Sequence, residues 1–251
     1  MRIAVLADVH GNLPALDALL AHLEAQGGAE EVWALGDLAV FCPYPVQVIE
    51  RLSALPRVRF LQGNTDRYLV TGERPRRIAE DESQWSGMAA LLKERDANFR
   101  WTLEQLNYER YSFLRDLPYL QRLDVVAYGA ILGVHASFVS DKLGIWPATT
   151  NGEMRDLLDG IDVRLLLCGH THYQLDRSLG EVRVVNPGSV GLPLDGDQRA
   201  AYAILDFESD GCQVALHRVD YDVGEVIARL DDVGHPARGW VGTRLRLAAH
   251  P

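Results

Sequence analysis

Apolar and polar residues alternate along this chain in two periods. Residues 2–8, "RIAVLAD", are almost continuously apolar, the pattern of a central strand covered on both faces. Asn12 then stands as a helix cap and Pro14 lies in the first turn. Leu16, Leu19, Leu20 and Leu23 recur at helical spacing until Gly27-Gly28 stops the helix. The pattern predicts a second strand over 31–35, a helix opened by Pro43 and Pro45 and running to about Leu55, and a third strand from Val58 to Leu61. Strand–helix–strand–helix–strand is an α/β signature.

From 72 to 118 the period changes. No convincing strand is present, and the segment reads as two or three amphipathic helices, with Trp101, Leu103, Leu106, Tyr108, Phe113 and Leu114 among their apolar positions. It is expected to be a helical insertion within a single domain of residues 1–251, lying over one end of a sheet. Strands return at 122–127 and 130–134 around Tyr128-Gly129. A helix near 151–159 leads to a strand at 163–168. "YQLDRS" and "VRVV" pair across "LGE", and "AAYAILDF" and "CQVALHRV" pair across a turn containing Asp210-Gly211. A last helix covers about 222–231, and the tail from His235 is ambiguous between helix and coil.

Polar residues gather where these strands stop. "ADVHGN" places Asp8 and His10 after the first strand and "LGDL" places Asp37 after the second. "GNTD" places Asn64 after the third, "GVHAS" places His135 after 130–134, and "CGHTHYQ" places His170 and His172 after 163–168. Ligands of open α/β sheets collect beyond the carboxyl ends of strands. Taken singly these residues are ordinary: Asn64 and Asp66 are good turn formers, and a lone buried histidine is more often a packing residue than a ligand. The pairs Asp8/His10 and His170/His172 say more, because a spacing of two puts both side chains on one face of an extended segment. His22, His217, His235 and His250 have no such companions and read as surface or packing residues. Carboxylate, imidazole and amide oxygen together suit manganese, iron or zinc. Two such ions form a clamp for in-line displacement at phosphorus.

Charge and cysteine usage narrow the classes. The formal net charge is −10, which argues against wrapping long nucleic acid by phosphate neutralisation but not against a nucleotide held at a metal site. No apolar run reaches the length of a membrane span, and Met1-Arg2 followed by "IAVLAD" is too short and too soon acidic for a signal peptide. Cys42, Cys168 and Cys212 are odd in number and widely spaced. That fits neither a disulfide framework nor a thiolate zinc site and favours a reducing, cytoplasmic location.

The motif order "DVH", "GD", "GNTD", "GVH", "GHTH" resembles the calcineurin-like metallophosphoesterase superfamily, over roughly residues 1–70 and 122–218. "VVNPGSVGLPLDGD" followed by "AAYAIL" is similar to its small bacterial phosphodiesterase branch. The resemblance implies an α/β fold with a four-layer αββα sandwich of two mixed sheets flanked by helices. It implies two divalent metal ions, Mn2+ foremost, with Fe, Zn or Ni possible alternatives. One would be held by Asp8, His10, Asp37 and His172, and the other by Asp37, Asn64, His135 and His170, with Asp37 bridging.

Asp37, Asn64 and His135 would serve catalysis, and the implied reaction is in-line attack of metal-bound hydroxide on a phosphoester, most naturally a diester of a small molecule or nucleotide. Many members read "GNH" at the third motif, with the histidine acting on the leaving group. Here Thr65 takes that place, and threonine donates a hydrogen bond but is no acid near neutral pH.

Substrate contacts are expected from Asn12, Thr65, Arg67, Asn186, Gly188 and Ser189. "NPGSVG" is expected to offer backbone N–H groups to a phosphoryl oxygen. Arg74, Arg76 and Arg77 read first as a solvated basic helix start, with contact to a second phosphate or a nucleotide as the competing reading. Competing readings are a phosphomonoesterase, a protein Ser/Thr phosphatase, and a scaffold on the same fold like the retromer subunit that also lacks the histidine. A scaffold has no need of a complete ligand set.

Overall fold

The computed structural model describes residues 1–74, 79–209 and 211–249. Arg76 and Arg77, Asp210 of the hairpin turn and His250 lie outside the described residues. One sheet contains β1 (Arg2–Leu6), β2 (Glu31–Ala34), β3 (Val58–Phe60), β9 (Ala200–Glu208) and β10 (Gly211–Val219), in the order β10-β9-β1-β2-β3. The other contains β4 (Leu120–Val125), β5 (Gly129–Val134), β6 (Leu165–Leu167), β7 (Gln174–Leu179) and β8 (Val182–Pro187), in the order β4-β5-β6-β8-β7. Both are mixed. β1, β2 and β3 pair in parallel, as do β5, β6 and β8, while β9, β10, β4 and β7 pair antiparallel.

Side-chain alternation explains why the strand sequences look uniformly apolar. Along β1, Ile3 and Val5, with Ala7 just beyond it, face the seam between the sheets, and Ala4 and Leu6 face the helices. Trp33 and Leu35 fill the same seam from β2, and Ile131, Leu165, Leu167 and Val185 meet them from the second sheet. Gly133 is required there, because a Cβ would lie 2.6 Å from the Trp33 ring. Truncating the fully buried Trp33 would cost about 3–5 kcal/mol.

Helices close both outer faces. α1 (Leu13–Ala25) and α2 (Pro45–Ser53) cover the first sheet, and α6 (Asn151–Leu157) covers the second. The arrangement is therefore the expected αββα sandwich. α1 starts where Asn12 accepts from the Ala15 N–H, and α6 starts on a Thr150/Glu153 capping box. The "GNTD" turn proves to be the first turn of a helix, α3 (Asn64–Thr71), because Gly63 and Asp66 form a helix start.

The segment 72–118 holds α4 (Glu82–Gln105) and α5 (Tyr108–Arg115), with no strand among its described residues. α5 packs Phe113 edge-on to Phe60, and α4 packs Phe99 against Phe41 and Tyr68. α7 (Val223–Asp232) is followed by α8 (Arg238–Leu247), which resolves the ambiguous tail as helix. Ala237, Val241 and Leu245 repeat every fourth residue and join Val226, Leu230 and Cys42 in a satellite core. Among the described residues no helix is long and apolar enough to cross a membrane.

Candidate metal centre

Parallel pairing in each sheet brings the strand-end loops together. The register Leu6↔Ala34 sets the loops after β1 and β2 side by side, stitched by Asp8 N–H to Gly36 C=O at 3.1 Å and His10 N–H to Asp37 C=O at 2.9 Å. In the second sheet, Gly169 N–H donates to His135 C=O at 2.7 Å. The two sheets meet where the backbone N–H of His170 donates to Asp8 Oδ2 at 2.9 Å. Asp8, His10, Asp37, His170 and His172 all adopt left-handed backbone with φ between 51° and 67°, which non-glycine residues rarely adopt. Such clustering marks a functional site, held there by the packing around it.

Each of the four histidines has one ring nitrogen against a backbone carbonyl. His10 Nδ1 meets Val40 C=O at 3.1 Å, His135 Nδ1 meets Leu35 C=O at 2.8 Å, and His170 Nε2 meets Lys142 C=O at 3.0 Å. His172 Nδ1 meets Leu192 C=O. A carbonyl only accepts, so the proton lies on that nitrogen and the opposite one presents a bare lone pair.

These lone pairs face one another. His10 Nε2 and His172 Nε2 are 3.2 Å apart, with Asp37 Oδ2 3.7 Å from the first and Asp8 Oδ1 3.6 Å from the second. His135 Nε2, His170 Nδ1 and Asn64 Oδ1 lie 2.8–3.3 Å from one another, and Asp37 Oδ1 is 3.5 Å from His135 Nε2. Two groups of acceptors thus converge with no proton to share, and Asp8 Oδ1 is buried without a hydrogen-bond partner. Asp8, His10 and His172, and likewise Asp8, Asp37 and His135, bring ligand atoms within 4.8 Å of each other. A donor set of this kind fits divalent cations of the first transition row.

Electrostatics agree with that fit. Burial pushes the pKa of His10 and of His170 down to about 4, and that of His172 well below its ordinary value, so all three are neutral imidazoles near pH 7. Burial, then the charge of Asp37, pushes Asp8 well above the usual carboxylate range. Burial acts the same way on Asp37 but is outweighed by His135, His10 and His170, which hold it below its ordinary value.

Asp66 is a residue that sequence reasoning treated only as a turn former. Its buried carboxylate accepts from the N–H groups of Asp37 at 2.8 Å, Leu38 at 3.0 Å and Gly63 at 3.0 Å, so it fastens two ligand loops together. The sequence signal was its place three residues after Gly63, at the third position of a helix. The loops pack so closely that a Cβ on Gly63 would lie 2.1 Å from Asp37 Oδ1.

Of the residues expected to meet substrate, Thr65 lines the cleft. Its N–H donates to Asp37 Oδ1 at 2.8 Å, and its buried hydroxyl has no hydrogen-bond partner among the described residues. The others are placed differently. Asn12 is fully buried, capping α1 and donating to Gly191 C=O at 2.8 Å. Asn186 donates to Gly169 C=O and to Thr171 Oγ1, and its own oxygen accepts from the Gly188 N–H. Ser189 donates to Asp8 C=O and accepts from the Leu192 N–H. The N–H groups of Val190 and Gly191 donate to Ala7 and Asp8 carbonyls. "NPGSVG" therefore braces the ligand loops from behind with donors that are already engaged. Arg67 is paired with Asp141 and Glu73, and Arg74 with Asp96.

Over the ligands lies a cleft of about 380 Å³. His10, Asp37, Asn64, His170 and His172 form its floor, and Phe41, Tyr68, Phe99, Trp146 and Trp240 form an aromatic wall. Arg95 of α4 and Arg244 of α8 add positive charge, with Arg244 stacked 3.9 Å from the Trp240 ring.

The calcineurin-like phosphoesterase superfamily domain matches residues 1–210. An uncharacterised protein of Methanocaldococcus jannaschii is 28% identical over 260 residues, spanning 98% of this chain and 97% of its own length. The crystal structure of a metallophosphoesterase from Sphaerobacter thermophilus superposes with a TM-score of 0.74 at 29% identity, covering 99% of both chains. That of a hypothetical protein from Pyrococcus horikoshii superposes with a TM-score of 0.80 at 28% identity, covering 99% of this chain and 98% of its own.

Proposed function

The chain belongs to the calcineurin-like phosphoesterase superfamily, and from that membership we propose that it is a phosphodiesterase working at a dinuclear metal centre. The observation that carries this reading is Asp37, whose two carboxylate oxygens turn toward different acceptor groups, Oδ2 to His10 and Oδ1 to His135. One cation is assigned to Asp8, His10, Asp37 and His172, and the other to Asp37, Asn64, His135 and His170. Manganese is the preferred ion, and iron, zinc and nickel suit the same donors. Bound there, two cations polarise phosphoryl oxygens and make water a competent nucleophile near neutral pH.

The protein's own groups do the rest. Backbone carbonyls hold the four imidazoles in the tautomer that aims a lone pair inward. The Thr65 N–H fixes one oxygen of Asp37, and the Thr65 hydroxyl is positioned to donate a hydrogen bond into the cleft. No acid stands at that position, so esters with good leaving groups are favoured. The aromatic wall offers apolar contact to a second ester substituent, which favours diesters over monoesters. Free cysteines at 42, 168 and 212 suit a reducing, cytoplasmic setting.

The test is hydrolysis of bis(4-nitrophenyl) phosphate and of 4-nitrophenyl phosphate by manganese-loaded protein. The diester should be cleaved with the higher kcat/KM, and a chelator should abolish the reaction. Cleavage of the monoester alone overturns the diester preference. No cleavage of either, with metal bound, replaces an enzyme with a scaffold.

A further inference from the structure

Three of the four imidazoles lean on carbonyls of fully buried or nearly fully buried residues, Leu35, Val40 and Leu192. His170 differs. It is less buried than the other three, and its carbonyl belongs to Lys142, on a loop where Phe138, Val139, Lys142 and Leu143 are exposed. The loop is compact. The Ser137 N–H donates to the Ser140 carbonyl at 3.0 Å, and Ser140 Oγ accepts from the Lys142 N–H at 3.1 Å. It also presses on its neighbour, since a Cβ on Gly144 would lie 2.6 Å from Thr171 Cγ2 and 3.1 Å from His170 Cδ2. Asp141, next to Lys142, is paired with Arg67 Nε at 2.6 Å, the two side chains being 20% and 15% exposed. Arg67 stands three residues after Asn64 in α3, on the same face of the helix. A closed circuit results: Asn64, Arg67, Asp141, the Lys142 carbonyl, and His170, whose Nδ1 returns to Asn64 Oδ1 at 2.8 Å.

We propose that Arg67 and Asp141 are positioning residues for His170: their ion pair holds the Lys142 carbonyl on Nε2 and so keeps the Nδ1 lone pair turned toward the second cation position. The inference rests on the dinuclear reading of the cleft. The partner bonded to one ring nitrogen decides which nitrogen is free to ligate. Without the Lys142 carbonyl, the proton leaves Nε2 and one is taken up at Nδ1, where Asn64 Oδ1 accepts it. The net charge is unchanged, but the lone pair meant for a cation is gone and the Asn64 oxygen is occupied as well. The pair also joins the sheets, because α3 follows β3 of the first and the loop follows β5 of the second. A surface ion pair contributes little, whereas a half-buried one that fixes two ligand-bearing segments has a geometric task.

The experiment has two readouts, neither of them turnover. In metal-free, ¹⁵N-labelled protein, two-bond proton–nitrogen spectra report each histidine tautomer. His170 should carry its proton on Nε2 in the wild type and shift toward Nδ1 in Asp141→Ala and in Arg67→Met. Calorimetric titration with manganese should then show one of two sites weakened about tenfold in either variant, the low end of what loss of a supporting contact costs, with the other site intact. The double variant should be no weaker than the singles, because the two residues act as one unit. Glu73→Gln removes the other, exposed partner of the same guanidinium and should move neither readout. Asp141→Asn, which keeps the shape and drops the charge, replaces Asp141→Ala if that variant does not fold. A His170 tautomer that is the same in wild type and both single variants overturns the proposal, as does equal weakening of both manganese sites, the mark of general loosening. Wild type that binds fewer than two manganese ions refutes the dinuclear reading, and the tautomer readout still decides the positioning role.

Discussion

The carboxylate of Asp66 accepts the backbone N–H of Asp37 at 2.8 Å, and through that bond a residue that faces no substrate sets the position of the residue shared by both acceptor groups. Its other bonds, to Leu38 and Gly63, tie the second and third strand-end loops into one unit.

Asp66→Asn replaces one acceptor oxygen by an N–H donor that confronts another donor. Loss of such a supporting contact typically weakens metal affinity 10–100-fold. Manganese titration of activity should show that shift, with most of kcat regained at saturating metal. Unchanged metal affinity would reduce Asp66 to a packing residue.

Asp37→Ala should have a larger and different effect. It removes the carboxylate from both acceptor groups, so both metals and all hydrolysis should be lost together. Elemental analysis of manganese-loaded wild type and variant is the measurement. Fewer than one metal per chain in the wild type, or full occupancy in the variant, would refute the shared role.

Thr65 is tested through the leaving group. With no acid beside Asn64, the rate for a series of aryl and alkyl diesters should fall steeply as leaving-group pKa rises. Thr65→His introduces an imidazole whose pKa near 6.5 suits proton donation. Its gain should fall below the 10²–10⁴-fold typical of general acids, since Tyr68 and Phe99 already fill the wall, and should be larger for alkyl than for nitrophenyl esters. Thr65→Val should lower the rate if the unpartnered hydroxyl contacts substrate. A wild-type rate independent of leaving-group pKa, with chemistry rate-limiting, would end the leaving-group account.

His235 supplies a pH prediction away from the centre. It is fully buried, Trp101 packs edge-on against it at 4.4 Å, and burial, then Arg238, lowers its pKa to about 4. Its folded pKa lies below the unfolded value of about 6.5, so the unfolded chain takes up the proton first as pH falls. The stability it permits is complete above pH 6.5 and is lost between 6.5 and about 4, by at most about 3 kcal/mol. Thermal unfolding of His235→Asn should show a shallower acid decline across that window than the wild type. Parallel pH profiles would refute the assignment.

The fold, and the convergence of donor groups at one edge, were legible because both are written locally. Each candidate ligand follows an apolar run, and continuous rather than alternating apolar strands such as "IAVLA" announce burial on two faces. The supports were not legible because they are made across the chain. Nothing near His10 or His172 points to the carbonyls of Val40 and Leu192, and Asp66 looks like any turn aspartate. Asn186 and Ser189 misled for a related reason. A Gly/Pro-rich segment normally runs over the surface, but this one is threaded beneath the ligand loops and buried completely.

The proposed ligands divide by sheet: Asp8, His10, Asp37 and Asn64 hang from the first, and His135, His170 and His172 from the second. Any cation gripped from both sides acts as a rivet through the seam of the sandwich. On the proposed assignment, metal content would set mechanical integrity as well as chemistry. By mass action a site filled at a thousand times its dissociation constant adds about 4 kcal/mol to folding. The melting temperature of this protein should therefore work as a gauge of free metal, climbing with manganese concentration long after the last site is nominally full.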